Sequence, residues 1–132
     1  MILIDSNIIL DVWDRDPMWS AWSTQQLRSL AAQNDLAINT VIYAEVSARF
    51  SAQARLDEQL ADLGLIVLDI PREAAFLAGK AFVQYRLQGG SKRSVLPDFF
   101  IGAHAQTLGC PLLTRDTRNY ASYFHGVRLI AP

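Results

Sequence analysis

Four acidic residues fall where their carboxylates could act together: Asp5, Glu45, Asp98 and Asp116. Asp5 ends the apolar run Met1-Ile2-Leu3-Ile4, and Ser6-Asn7 behind it can cap a helix opening at Ile8. Glu45 lies in a helix expected from Val41 to about Phe50. At about 100° per residue it falls among Val41, Ile42 and Ala48, toward a sheet. Asp98 stands in the first turn of a helix from Pro97 to Leu108, on the face of Ile101, Gly102, Ala105 and Leu108. Asp116 follows Leu112-Leu113-Thr114-Arg115, just past the end of a strand. Each acid also has an ordinary reading. Asp5 can simply cap a helix, Glu45 can pair with Arg49 one turn on, Asp98 can suit a helix dipole, and Asp116 can be a loop acid. Gathered at one place without a histidine or cysteine, four carboxylates repel one another unless a cation neutralises them. Oxygen-only ligands suit Mg2+ or Mn2+. Such an ion lowers the pKa of a bound water and braces a phosphodiester for in-line attack.

Strands and helices must alternate to bring these residues together. The unbroken apolar run before Asp5 reads as a strand buried on both faces. Helices are expected over Asn7 to Trp13 and Met18 to Gln33, the first broken by Asp14-Arg15-Asp16-Pro17. A second strand, Leu36 to Thr40, feeds the Glu45 helix, and Gln53 to Leu63 forms another helix closed by Gly64. Leu65 to Ile70 reads as a third buried strand, followed by a long helix from Pro71 to about Leu87. Gln88 to Ser94 is the one clear loop by composition. Pro111 to Thr114 and Val127 to Ile130 complete five strands. This order implies a parallel α/β sheet with helices on both faces, in one domain spanning residues 1–132. The carboxyl ends of parallel strands share an edge where ligands collect, and Asp5, Asp98 and Asp116 all belong there.

The motifs Ile4-Asp5-Ser6-Asn7, Glu45 in Tyr-Ala-Glu-Val, Pro97-Asp98-Phe99-Phe100-Ile101-Gly102-Ala103-His104-Ala105 and Leu112-Leu113-Thr114-Arg115-Asp116 occur in order across essentially the whole chain. In this the sequence resembles the PIN-domain family, and within it the VapC-type ribonuclease toxins of bacterial toxin–antitoxin pairs. The resemblance implies a strand order of 3-2-1-4-5 and metal-binding acids at Asp5, Glu45, Asp98 and Asp116. It also implies supporting polar groups at Ser6, Asn7 and Thr114. Many relatives carry a further acid where this chain has Asn119, which puts a fifth ligand in doubt. The implied activity is Mg2+- or Mn2+-dependent endoribonuclease, with an antitoxin protein and a second copy of the chain as partners.

Composition narrows the setting. The chain of 132 residues is 51% hydrophobic with a formal net charge of −1, which argues against a general nucleic-acid coat. Local binding depends on where cations cluster. Lys92 and Arg93 are the only adjacent basic pair, and Arg115 neighbours Asp116, so these three are the candidate RNA contacts. One cysteine, Cys110, allows no internal disulfide and fits a reducing cytoplasm, and no apolar run approaches membrane-spanning length. His104, His125 and Cys110 read as structural. Trp13, Trp19 and Trp22 can belong to the core or to a partner surface, and Tyr120, Tyr123 and Phe124 pin the last loop. Two other functions compete. One is a PIN-fold module that binds RNA or protein without turnover. The other is a phosphoaspartate domain, receiver or phosphatase-like, with Asp69 as a possible acceptor. In that case Asp98 and Asp116 have no role, and Asn7 stands where a dehalogenase-type phosphatase needs its second acid.

Overall fold

The computed structural model describes residues 1–132. Its centre is β1 (Ile2–Ile4), whose three residues are almost wholly buried because strands lie on both sides and helices cover both faces. The remaining strands are β2 (Leu36–Asn39), β3 (Leu65–Leu68), β4 (Leu112–Leu113) and β5 (Leu129–Ile130), all parallel in the order β3-β2-β1-β4-β5. The helices are α1 (Ser6–Trp13), α2 (Ser20–Ala31), α3 (Thr40–Ser47), α4 (Gln53–Asp62), α5 (Arg72–Leu87), α6 (Pro97–Leu108) and α7 (Arg118–Tyr123).

Register, rather than strand length, fixes what meets at the carboxyl edge. Ile4 pairs with Leu113, so the next residues, Asp5 and Thr114, emerge side by side. Two backbone bonds hold them there: Asp5 N donates to Leu113 O at 2.9 Å, and Thr114 N donates to Ile130 O at 3.0 Å.

Several local expectations need correction. The first helix opens at Ser6, not Ile8, because Asp5 itself is the N-cap and accepts from the Ser6 amide. Asn39 likewise caps α3 by accepting from the Ile42 amide at 3.0 Å, which ends β2 before Thr40. The second helix begins two residues after Met18, since Asp16 takes the amides of Met18 and Trp19. β3 is not buried on both faces. It is an edge strand, and Ile66 and Val67 are exposed. The last segment, expected as loop, contains α7, too short at six residues for an apolar period to show.

α7 is held against α6 by aromatic packing. Phe99 meets Tyr123 edge-on at 5.3 Å and Phe124 at 6.4 Å between ring centroids. Gly102 makes this possible. A Cβ there would stand 2.3 Å from the Phe124 ring, so the small residue admits Phe124 rather than the sheet. Gly109, at φ 64°, ends α6 in the left-handed conformation that glycine adopts without strain.

Candidate active site

Asp5 is the hub of the carboxyl edge. Its Oδ1 accepts from the Ser6 amide at 2.7 Å and stands 3.5 Å from the Ser6 hydroxyl. Its Oδ2 accepts from the Thr114 hydroxyl and the Tyr120 phenol, both at 2.8 Å, and from the Asn7 amide at 3.4 Å. Ser6, Asn7 and Thr114 are therefore all gathered on Asp5. Asn7 also ties the neighbouring loop down, because its Oδ1 accepts from the Arg115 backbone at 3.2 Å. Burial above all pushes the Asp5 carboxyl above its ordinary range, and the charge of Asp98 adds to this. Hydrogen bonds from Tyr120, Thr114 and the Ser6 backbone pull the other way.

Asp98 comes to the same place from the first turn of α6. Its Oδ1 lies 3.3 Å from the Tyr120 hydroxyl, and its Oδ2 accepts from the Asn119 amide at 3.2 Å. One phenol thus spans two acids. A buried phenol facing two carboxylates is driven far above its ordinary pKa, first by burial and then by the charges of Asp5 and Asp98, so it stays protonated.

Glu45 does not face the sheet as helix geometry predicts. The buried stripe of α3 runs through Ile42 and Val46, and Glu45 rides on its flank, exposed at the rim of the cluster. Desolvation, then repulsion from Asp5 and Asp98, raises its carboxyl, with the Ser6 hydroxyl opposing. Arg49 is not its partner but pairs with Asp14 at the surface. Asp116 stands at the same edge but binds Arg118 through its backbone and guanidinium, at 3.2 to 3.4 Å. The hydrogen bond from Arg118 keeps the Asp116 carboxyl below its usual range.

The candidate cations divide. Arg115 is not free for a phosphate: its guanidinium is held by Asp11, at 2.6 and 2.8 Å, and lies 5.2 Å over the Trp19 ring. Lys92 and Arg93 are exposed, in a loop anchored through the Lys92 backbone to Arg86 and to the Tyr85 hydroxyl. His104 is buried and shares a 3.2 Å contact with Asn39, a structural pairing. Tyr120, read from the sequence only as pinning the last loop, is the neighbour of the acids that sequence reasoning missed. Asn119, noted there as the position of a doubtful fifth ligand, here donates to Asp98. The one available signal was position, since both stand about a turn beyond Asp116, where a short helix returns them to the edge.

A divalent cation fits this donor set with one restriction. No three acidic or histidine side chains lie close enough to enclose one ion. Ions of the Mg2+ kind, however, are commonly held through one or two carboxylates with water in the other positions. Asp5 and Asp98 meet that need. The part of the upward push on Asp5 and Glu45 that comes from neighbouring carboxylates, smaller than that of burial, is a repulsion that a cation would relieve.

Known structures share this architecture. A chain of the VapBC2 complex from Rickettsia felis, bound to a fragment of promoter DNA, superposes at a TM-score of 0.75 with 19% identity, covering 100% of this chain and 99% of that one. A toxin–antitoxin complex from Klebsiella pneumoniae gives 0.68 with 23% identity, covering 96% and 95%. VapBC-1 from nontypeable Haemophilus influenzae gives 0.70 with 19% identity, covering 99% and 98%. At these identities the likeness establishes the fold. No curated protein matches the sequence. The model of the PIN domain matches residues 2–124, nearly the whole length over which strand order, motifs and acid edge coincide, and on that ground the chain belongs to the PIN domain family.

Proposed function

We propose that this protein is a Mg2+- or Mn2+-dependent endoribonuclease and the toxin of a toxin–antitoxin pair, working in the cytoplasm and held inactive by a partner protein. The observation that carries this reading is the pairing of Asp5 and Asp98 at the carboxyl edge, with Glu45 at its rim and Asp116 beside it. When bound, a divalent cation supplies an activated water and neutralises charge on the scissile phosphate. The chain's own residues do the rest. Ser6, Asn7 and Thr114 orient Asp5, Asn119 orients Asp98, and exposed Lys92 and Arg93 are the cations free to hold phosphates. Membership of the PIN family and the likeness to toxin–antitoxin complexes support the assignment. No helix is long and apolar enough to cross a membrane.

We assign self-association to α5, where Phe76, Val83 and Leu87 form an exposed apolar stripe. Trp19 and Trp22, by contrast, pack on each other, with Trp19 under Arg115. An antitoxin side chain such as arginine could pair with the site carboxylates in place of the cation.

A second reading, an RNA- or protein-binding PIN module without turnover, is favoured by the lack of any three-acid cluster around one point. The test is cleavage of single-stranded RNA by the purified chain with Mg2+ or Mn2+, repeated in excess EDTA. Metal-dependent cleavage supports the enzyme. Cleavage undiminished by EDTA overturns the metal mechanism, and RNA binding without cleavage favours the second reading.

A further inference from the structure

The Tyr120 hydroxyl belongs to the most deeply enclosed part of the site, yet nothing in the metal-ion reading assigns it a task. A carboxylate offers about four lone-pair positions on its two oxygens. On Asp5 they are nearly all taken. Oδ1 faces the Ser6 amide and hydroxyl, while Oδ2 already accepts two donors at 2.8 Å and a third at 3.4 Å. A cation can reach Asp5 directly only where a donor lets go.

The donors are not equally able to do so. Ser6 N is fixed by the start of α1. Thr114 is fixed by β4 pairing, and its hydroxyl also accepts from the Asp116 amide at 3.1 Å. Tyr120 is different. Its hydroxyl bonds only to Asp5 and Asp98, and α7 is a six-residue helix held mainly by packing on α6. Its withdrawal frees acceptor positions on both acids at once.

We propose that Tyr120 is a stand-in for the divalent cation, bridging Asp5 and Asp98 in the metal-free protein and giving way when the ion binds. This rests on reading those two acids as cation ligands. One donated proton satisfies Asp5 at 2.8 Å and reaches Asp98 at 3.3 Å, which holds the two carboxylates near each other without a metal. The same contact makes the phenol a competitor of the ion. Tyr120 is thus a positioning residue that stabilises the empty site and weakens its hold on metal.

The test is calorimetric titration of the full chain with Mn2+, comparing wild type, Tyr120→Phe and Thr114→Val. Tyr120→Phe keeps the ring and removes only the bridge. It should bind Mn2+ about tenfold to a hundredfold more tightly, the range of one hydrogen bond to a charged group. Its melting temperature without metal should fall, and its rise on adding Mn2+ should exceed that of wild type. Thr114→Val frees a position on Asp5 alone and none on Asp98, so it should tighten binding less than Tyr120→Phe. Mn2+ affinity of Tyr120→Phe equal to or below that of wild type overturns the proposal and leaves the metal reading intact, as does equal tightening by both variants. Failure of wild type to bind Mn2+ overturns the metal reading and this inference with it. Should Tyr120→Phe not fold, wild type labelled with 13C at tyrosine Cζ gives the answer during Mg2+ titration. Of the four tyrosines, the Tyr120 signal should move as Mg2+ saturates the site, and an unmoved signal overturns the proposal.

Discussion

The guanidinium of Arg115 grips the buried carboxylate of Asp11 through Nε–Oδ2 at 2.6 Å and Nη2–Oδ1 at 2.8 Å. Asp11 also accepts from the Ser23 hydroxyl at 2.7 Å, so one acid ties α1 to α2 and to the end of β4. Arg115→Ala should cost about 2 to 4 kcal/mol in urea unfolding, because it leaves a buried charge without its partner. The lower part of that range allows for an arginine side chain that is 27% exposed. Asp11→Leu combined with Arg115→Met should lose less than Arg115→Ala alone. Equal losses would mean that the pair is not coupled.

Asp98→Asn should cut RNA cleavage by about two orders of magnitude or more, on the scale of losing one electrostatic stabiliser. Circular dichroism and melting should change little, since the new amide can accept from Tyr120 through its oxygen and give its NH2 to the oxygen of a flipped Asn119 side chain. Asp5→Asn should be equally inactive but clearly less stable. Both oxygens of Asp5 accept from buried donors, and an amide would turn its NH2 toward one of those sets. Full activity in either variant would remove that acid from the mechanism.

The double variant Lys92→Ala/Arg93→Ala should bind single-stranded RNA more weakly whatever its sequence. Its log–log salt slope should fall by about 0.7 per lost phosphate contact, roughly 1.4 for both. Binding is measured in the Asp98→Asn background from about 50 to 200 mM salt. An unchanged slope would place the phosphate contacts elsewhere. Arg115, already neutralised by Asp11, should contribute nothing to that slope.

Acidification should destabilise the fold through His104. The Asn39 Oδ1 is committed to the Ile42 amide, so its NH2 faces the His104 Nδ1, which must accept. Burial pushes the ring below its ordinary pKa. The unfolded chain therefore takes up the proton first. Stability is present above about pH 6.5 and declines below it, until the folded ring titrates too, by at most about 1.4 kcal/mol per pH unit. His104→Gln should show a shallower loss of melting temperature between about pH 6.5 and 5. Parallel curves for the two proteins would rule the histidine out.

The alternation of strands and helices and the positions of Asp5, Asp98 and Asp116 along it were readable in the sequence because they rest on local signals: an apolar run ending in Asp5, a proline opening α6, an apolar pair before Thr114. Exposure was harder. A run such as Leu65 to Leu68 looks the same in the middle of a sheet and at its edge, since only the absent neighbour strand distinguishes them. Glu45 was misplaced by part of a turn, because a helical wheel gives relative angles and not which residue points inward. The pairings of Arg115 and Tyr120 were beyond local reasoning altogether. Their partners lie 104 and 115 residues away, and only the parallel register brings them into reach.

That register also sets when the site can exist. Asp5 leaves the ribosome well before its partners Thr114 and Tyr120, which follow 109 and 115 residues later. At about 5–20 residues per second the gap is roughly 6 to 23 s. Throughout that time β1 has no β4 beside it and Asp5 has neither hydroxyl. A nascent or truncated chain that stops short of β4 therefore carries Asp5, Glu45 and Asp98 without the edge that Thr114 and Tyr120 complete.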